Sequence, residues 1–140
     1  MSADFELDIE GNNSANLATS YTELNVWKEA RYLTKSIYEF TQTFPETEKL
    51  GLIEQMRKIA IFVPAQIAEA AGRKNAKHAL NYLFDAKGAL FQLETMVYVA
   101  LDLVYCNDYQ AQELIEKIIT GRKLLFGYIR FKEKKAEVKF

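Results

Sequence analysis

Apolar residues recur every three or four positions in four successive segments of this chain, which is the spacing of amphipathic helices. None of these segments alternates apolar and polar residues in the way a half-buried strand does. Pro45 ends the first segment, because the residue before a proline is pushed out of helical geometry. The first apolar stripe is Val26, Ala30, Leu33, Ile37, Phe40 and Phe44.

The second segment runs from about Glu46 to Gly72 and has Pro64 inside it. A proline within a helix removes one backbone donor and crowds the carbonyl four residues earlier, which here belongs to Ala60. A kink costing roughly 3 kcal/mol is expected unless the surroundings compensate. Gly72 is expected to cap the end of this helix. The small residues that would let a neighbouring helix approach the bent half are Ala65, Ala68, Ala70 and Ala71.

The third and fourth segments begin with capping patterns. Asn75 precedes the third, and Asn107 with Gln110 forms a capping-box pattern before the fourth, which is expected to dissolve into KEKKAEVK. Short polar breaks make sequential helices antiparallel neighbours, so the expected fold is all-α, an antiparallel up-down-up-down four-helix bundle. The expected core residues are Leu80, Leu83, Phe84, Leu90, Phe91, Val97, Leu101 and Val104 on the third helix, and Ala111, Leu114, Ile115, Ile118, Leu125 and Ile129 on the fourth.

The N-terminal residues differ from the rest of the chain in charge and pattern. Residues 1–22 are polar and aperiodic, and we expect an arm that is disordered or ordered by a partner, followed by a bundle at 23–135 and a tail at 136–140. The arm does not resemble a secretory signal or transit peptide, and no apolar run approaches the roughly 20 residues of a bilayer span. A cytoplasmic protein without a membrane partner is expected. The acidic groups within the first 24 residues, which contain no lysine or arginine, are Asp4, Glu6, Asp8, Glu10 and Glu23.

Short motifs follow one another through most of the chain from Leu24 onward. They are L-x-V-W-x-x-A at Leu24 to Ala30, Q-x-R-x-x-A at Gln55 to Ala60, P-A-x-I-A-E at Pro64 to Glu69, G-R at Gly72 and Arg73, and A-x-G-x-L-x-x-L-E-T at Ala86 to Thr95. With these motifs the chain resembles the family of small bacterial four-helix bundle proteins first noted as reading frames inside intervening sequences of 23S rRNA genes. It departs from the usual family pattern at Gln66, Ala70, His78 and Ala89.

The resemblance carries expectations about assembly and partners. Members are similar in forming homo-oligomers, with five-fold rings the typical form. One relative, the accessory protein of diversity-generating retroelements, is strongly basic, binds nucleic acid and partners a reverse transcriptase. No catalytic activity is established for the wider family, so the resemblance supplies no active-site residues. The positions that it marks as structural hallmarks are Pro64, Glu69, Gly72 and Glu94.

Residues that would support enzyme chemistry are scarce in this chain. His78 is the only histidine and Cys106 the only cysteine, which excludes a thiolate metal cluster and the two Glu-x-x-His units of a di-iron bundle. His78 stands in a polar turn, where a solvated histidine is the commoner outcome than a general base. No phosphate-binding glycine loop occurs. We therefore expect no enzyme activity, no metal and no cofactor.

Charged residues provide the remaining candidate sites. Lys87, Glu69 and Glu94 lie on or beside apolar stripes, and each is expected to find a partner or to reach the bundle edge. The expected partners are a structural network with Arg57 or Arg73, or a polar contact between subunits. Basic residues interleaved with aromatic ones suit phosphate contacts and base stacking, but they suit an ordinary solvated helix face equally. The candidate nucleic-acid-binding residues are Arg57, Lys58, Arg73, Lys74 and Lys77 on helix two and its exit turn, with Arg122, Lys123 and Arg130 on helix four, followed by Lys132, Lys134 and Lys135.

Aromatic content favours self-association. The eight tyrosines and nine phenylalanines exceed what one short bundle readily buries, and tyrosine is enriched at protein interfaces. The leading hypothesis is a non-enzymatic homo-oligomeric scaffold or adaptor, pentameric by resemblance. The alternative is an RNA- or DNA-binding protein that uses the basic patches and that could partner a nucleic-acid enzyme.

Overall fold

The computed structural model describes residues 20–138, and its architecture there is an all-helical bundle. Helix α1 packs against α2 and α4, and α3 packs against the same two helices, so the predicted four-helix bundle is confirmed. Residues 1–19 of the predicted arm at 1–22, and residues 139–140 of the predicted tail, lie outside the described residues. The last residues of the predicted arm, Tyr21 and Thr22, belong to a 3-10 helix. The elements are a 3-10 helix at Tyr21–Glu23, α1 at Asn25–Thr41, a 3-10 helix at Glu46–Glu48, α2 at Leu52–Ala71, α3 at Ala76–Asp102 and α4 at Asp108–Val138.

The predicted helix caps form as expected. The side-chain oxygen of Asn75 accepts a hydrogen bond from the backbone of His78 at 3.1 Å. Asn107 and Gln110 exchange side-chain to backbone bonds of 2.8 and 3.0 Å, a reciprocal capping box. The backbone N–H of Gly72 donates to Ala68 at 3.1 Å and closes α2. Each cap acts within a few residues, so sequence alone was sufficient to place it.

Several helix boundaries differ from the predicted ones. Helix α1 ends at Thr41, before the predicted end at Pro45. Helix α2 begins only at Leu52, because residues 46–48 form a separate 3-10 turn and Gly51 stands between the two elements. Helix α4 does not dissolve at KEKKAEVK but continues to Val138. Ala136 in this lysine-rich segment is buried, although it lies outside the main core cluster.

Helix α2 accommodates Pro64 with help from α1. Residue 64 has no N–H to give the carbonyl of Ala60, as the sequence predicts. The hydroxyl oxygen of Thr34 on α1 lies 2.9 Å from that carbonyl oxygen and 3.0 Å from the carbonyl of Ala30. Thr34 therefore supplies a donor to the carbonyl that the proline leaves without one, and this contact is the compensation that the sequence could not identify.

The core is built from all four helices, with alanines between the large side chains. Phe84 and Phe91, predicted to be core residues of α3, are instead exposed, and Val104 lies beyond the end of α3 and is also exposed. The inward positions of α3 are occupied by Ala79, Ala86 and Ala89 beside the larger residues, and the two rings lie outside this inward face. The largest fully buried side chains are Ile37, Met56, Ile67, Leu83, Leu90, Leu93, Ile118 and Leu125.

None of the helices within residues 20–138 combines the length and the apolar character needed to cross a membrane.

Candidate interaction surfaces

Glu94 and Arg122 form an ion pair that joins α3 to α4. The guanidinium and carboxylate atoms are 2.7 Å apart, and the two side chains are only 14% and 21% exposed. The same guanidinium lies over the ring of Phe91, 4.2 Å from its centroid. The expectation that Glu94 is paired is confirmed, although its partner is Arg122 and neither Arg57 nor Arg73. Arg122, a candidate for nucleic-acid binding, is thus engaged inside the bundle.

Arg57 is engaged in a similar way at the junction of α1 and α2. Its Nε donates to the hydroxyl of the fully buried Thr41 at 2.9 Å, and its guanidinium lies 4.5 Å from the ring centroid of Tyr38. Thr41 itself donates to the carbonyl of Ile37 at 2.9 Å. Arg57 therefore anchors α2 to the last turn of α1, and this structural role competes with any contact to a phosphate.

Glu69 and Arg73 form an ion pair that lies on the surface, unlike the contacts of Arg122 and Arg57. Arg73 lies 2.6 Å from the Glu69 carboxylate one turn earlier, and it donates to the hydroxyl of Tyr82 on α3 at 2.7 Å. Arg73 is one of the partners expected for Glu69. Both side chains are close to half exposed, so the ion pair contributes a few tenths of a kcal/mol to about 1 kcal/mol. Lys87, the third predicted charge, lies over the rings of Phe84 and Phe126.

Basic residues from two distant parts of the sequence converge at one end of the bundle. In an antiparallel bundle the end of α2 and the start of α3 lie beside the end of α4. The α3–α4 contacts fix this register, because Glu94 meets Arg122 and Lys87 meets Phe126, which places the start of α3 level with the last turn of α4. We call this surface the basic end, and it consists of Arg73, Lys74, Lys77, Arg130, Lys132, Lys134 and Lys135.

The opposite end of the bundle carries a different surface, formed by the two loops there. Leu50 and Val104 are 82% and 83% exposed, and Val104 has a backbone φ of 61°, which is strained for a β-branched residue. Charged groups of this end include Glu46, Lys49, Glu54, Asp102, Asp108 and Glu113, and we call this surface the acidic end.

Glu48 ties the two loops of the acidic end together. Its carboxylate accepts hydrogen bonds from the backbone of Leu52 at 2.9 Å and from the hydroxyl of Tyr105 at 2.8 Å. These bonds, that of Leu52 first, lower the pKa of Glu48, and the bond to Glu48 raises the pKa of Tyr105. A side chain at Gly51 would place its Cβ 2.6 Å from this carboxylate, so glycine is needed there for Glu48 to fold over the start of α2.

A stripe of exposed residues runs along the outer face of α3. Phe84, Phe91 and Tyr98 are 42%, 46% and 50% exposed, and Gly88 and Thr95 stand between them. Their spacing of four and three residues places all five on one face of the helix. We call this surface the α3 face. A side chain added at Gly88 would meet no atom of the described chain within 4 Å, so nothing inside the bundle requires glycine there.

Metal-binding chemistry finds no support among the described residues. Within residues 20–138 there is no group of three or more histidine, cysteine, aspartate or glutamate side chains placed to hold a metal ion. Cys106 is half-buried, and burial followed by the nearby Asp108 raises the pKa of its thiol, which lowers its reactivity.

A family model described as 23S rRNA-intervening sequence protein matches residues 22–127, most of the chain and all but the last turns of the bundle. The chain belongs to this family. No curated protein matches it. The family match confirms the resemblance that the short motifs indicate.

The basic residues of helix two and its exit turn do not form one surface in this intervening-sequence protein. Arg57 and Lys58 lie near the start of α2, about 20 Å of helix away from its exit turn, so they do not share a surface with Arg73. Lys123 is exposed on α4, in the half of the helix that leads to the basic end. The basic end itself could have been found from the predicted antiparallel order of the helices, since that order alone brings the two clusters together.

The exposed α3 face of this family member was missed for a different reason. Phe84 and Phe91 follow the helical period as well as the core residues do, and only the alanines at the inward positions reveal that the rings point elsewhere. The motif A-x-G-x-L-x-x-L-E-T carries one further signal, which is the glycine at position 88 in the middle of a long helix.

Proposed function

We propose that this protein is a non-enzymatic homo-oligomeric scaffold or adaptor, assembled as a five-fold ring by resemblance to its family. The observation that carries the proposal is the α3 face, where three large aromatic side chains are about half exposed along one helix. Contiguous exposed apolar surface is uncommon on monomeric proteins and marks interaction sites. Aromatic side chains are also the residues most enriched at protein interfaces.

Gly88 supports self-association through the same face. Glycine in a helix interior costs about 1 kcal/mol relative to alanine. No atom of the described chain crowds position 88, so the bundle alone gives no reason to accept that cost. A helix of a second copy that approaches closely between Phe84 and Phe91 does give one, because a residue without a side chain lets two backbones come closest together.

A matched pair of glycine substitutions tests this proposal. Gly88→Leu fills the space between the α3 rings, and Gly127→Leu adds the same side chain at an exposed position of α4 that is equally uncrowded. Light scattering on the parent chain should give a mass near five subunits, Gly88→Leu should lower it, and Gly127→Leu should leave it unchanged. A parent chain that is monomeric at micromolar concentration would overturn the proposal, and so would two variants with equal masses.

The basic end favours a second candidate function, which is binding of single-stranded RNA or DNA. The convergence of lysines and arginines from α2, α3 and α4 supports it, and Tyr128 and Phe131 stack on each other nearby with centroids 6.2 Å apart. Positive charge beside aromatic rings is the combination that holds phosphates and unpaired bases. The acidic N-terminal residues oppose it, because every subunit of an assembly would carry them.

Salt dependence tests the nucleic-acid function. Binding of a fluorescent single-stranded RNA should weaken as salt rises, with log K falling by roughly 0.7 per phosphate contact for each unit of log salt. Substituting Arg130→Gln together with Lys134→Gln should weaken binding and flatten this slope, whereas Lys58→Gln at the other half of α2 should not. Absence of binding at low salt would remove this function and leave the scaffold proposal standing.

A further inference from the structure

The basic end contains cations that the described chain leaves uncompensated. Arg130 and Lys134 are exposed on α4, and neither forms an ion pair with any residue between 20 and 138. Lys135 contacts only the ring of Phe131, 5.0 Å from its centroid. Glu133 and Glu137 lie on the same stretch but do not pair with these groups. This end therefore has capacity to bind an anionic segment.

The described chain begins at this same end. Ser20 caps the 3-10 helix Tyr21–Glu23, which packs against α1 and α2. Tyr21 fixes the position, because its ring meets that of Trp27 edge-on with centroids 5.3 Å apart. The start of α1 lies beside the end of α2 in an antiparallel pair, so Ser20, to which the preceding segment is attached, lies next to the exit turn of α2.

That preceding segment has the complementary charge. Residues 1–19 contain Asp4, Glu6, Asp8 and Glu10 and no lysine or arginine. Glu10 is ten residues before Ser20, a stretch that spans up to about 33 Å when extended and about 17 Å as a random coil. Both lengths are comparable to the width of a four-helix bundle. Tethering at Ser20 also gives the acidic groups a high local concentration around the basic end.

We propose that residues 1–19 dock on the basic end of their own chain, with the acidic groups neutralising Arg130, Lys134 and Lys135. The arm then acts as a built-in competitor for any polyanion that approaches this surface. The proposal concerns the same surface as the nucleic-acid function, but it does not depend on nucleic acid being bound.

Lysine footprinting on the full chain tests the docking. The variant Asp4→Asn, Glu6→Gln, Asp8→Asn and Glu10→Gln removes the negative charge and changes no residue of the bundle. Amine modification at low salt should be roughly threefold to fivefold faster at Lys134 in this variant than in the parent, since exposed ion pairs are individually weak and give only partial protection. Lys58, in the distant half of α2, should react equally in both chains and serves as the internal control.

Two further measurements make the outcomes decisive. Raising the salt to about 0.5 M should abolish the difference at Lys134, because exposed pairs are screened. An isotope-labelled parent chain mixed with a tenfold excess of the charge-neutral variant should keep its own protection if the arm docks within one chain. Equal reaction of Lys134 in parent and variant at low salt would overturn the proposal, and so would protection that is lost on mixing.

RNA binding separates this inference from the second candidate function. If the arm docks and RNA is bound, the charge-neutral variant should bind a single-stranded RNA more tightly than the parent does. If neither chain binds RNA, the nucleic-acid function fails while the footprint at Lys134 still decides the docking.

Discussion

The contact between Thr34 and the carbonyl of Ala60 makes a quantitative prediction about Pro64. Thr34→Val keeps the shape of the side chain and removes the hydroxyl that lies 2.9 Å from that carbonyl. Ala60 is only 1% exposed, so water does not readily replace the lost donor. An unsatisfied buried acceptor costs about 1–3 kcal/mol, and we expect Thr34→Val to lower the free energy of unfolding by about 2 kcal/mol.

The control is to restore the missing backbone donor. Pro64→Ala supplies an N–H four residues after Ala60, which is the ordinary partner of that carbonyl in a helix. In the Pro64→Ala background the Thr34 hydroxyl is no longer needed, and its proton is available to Ala30, 3.0 Å away. Thr34→Val should then cost less than about 0.5 kcal/mol, so the coupling between the two positions exceeds about 1 kcal/mol.

Urea unfolding of the four chains, followed by circular dichroism, measures this coupling. All samples need the same protein concentration, because an oligomer gains stability by mass action. With a slope near 2 kcal/mol per molar urea, Thr34→Val should move the midpoint down by about 1 M when Pro64 is present and by little when it is not. Equal losses in the two backgrounds would refute the compensation, since the hydroxyl would then stabilise the protein for a reason unrelated to the proline.

Three other predictions follow from contacts between helices and from the loops. Val104→Gly should raise the free energy of unfolding by about 1 kcal/mol, because glycine removes the strain of the left-handed backbone. Val104→Ala should not raise it, and thermal unfolding of the two variants measures the difference. Glu94→Gln should cost about 1–3 kcal/mol because it leaves the largely buried Arg122 without its counter-charge, and adding Arg122→Met should recover part of that loss in urea unfolding. The lowered pKa of Glu48 contributes stability above the ordinary glutamate pKa of about 4.3, and this contribution is lost as the pH falls through the lowered pKa. Tyr105→Phe removes the hydrogen bond to Glu48 and should make the acid side of a pH–stability curve less steep. An unchanged curve would show that the bond does not contribute.

Local features of this fold were predictable because they depend on neighbours in sequence. Asn75, Asn107 and Gln110 act on backbone groups three residues away, so a capping pattern is sufficient to locate them. The stripes of α1 and α4 likewise face the core as their period requires. The period could not decide between Phe84 and its buried neighbours on α3, because the width of the inward face depends on how closely α2 and α4 approach.

Features that depend on long-range pairing were not predictable in detail. Sequence reasoning required a partner for Glu94 but could not choose Arg122, which is 28 residues away and on another helix. It required compensation for Pro64 but could not name Thr34, because the register between α1 and α2 decides which side chain faces the unpaired carbonyl.

Within residues 20–138, the opposite charges at the two ends of the bundle form an electric dipole directed along the helices. Any assembly whose rotation axis runs parallel to the helices adds these dipoles, because rotation about that axis never exchanges one end for the other. Such an assembly would present one positive rim and one negative rim whenever the acidic residues 1–19 are displaced from the basic ends. It would therefore bind a polyanion in a single orientation. The charge pattern of one subunit would decide the order in which further partners reach the two rims.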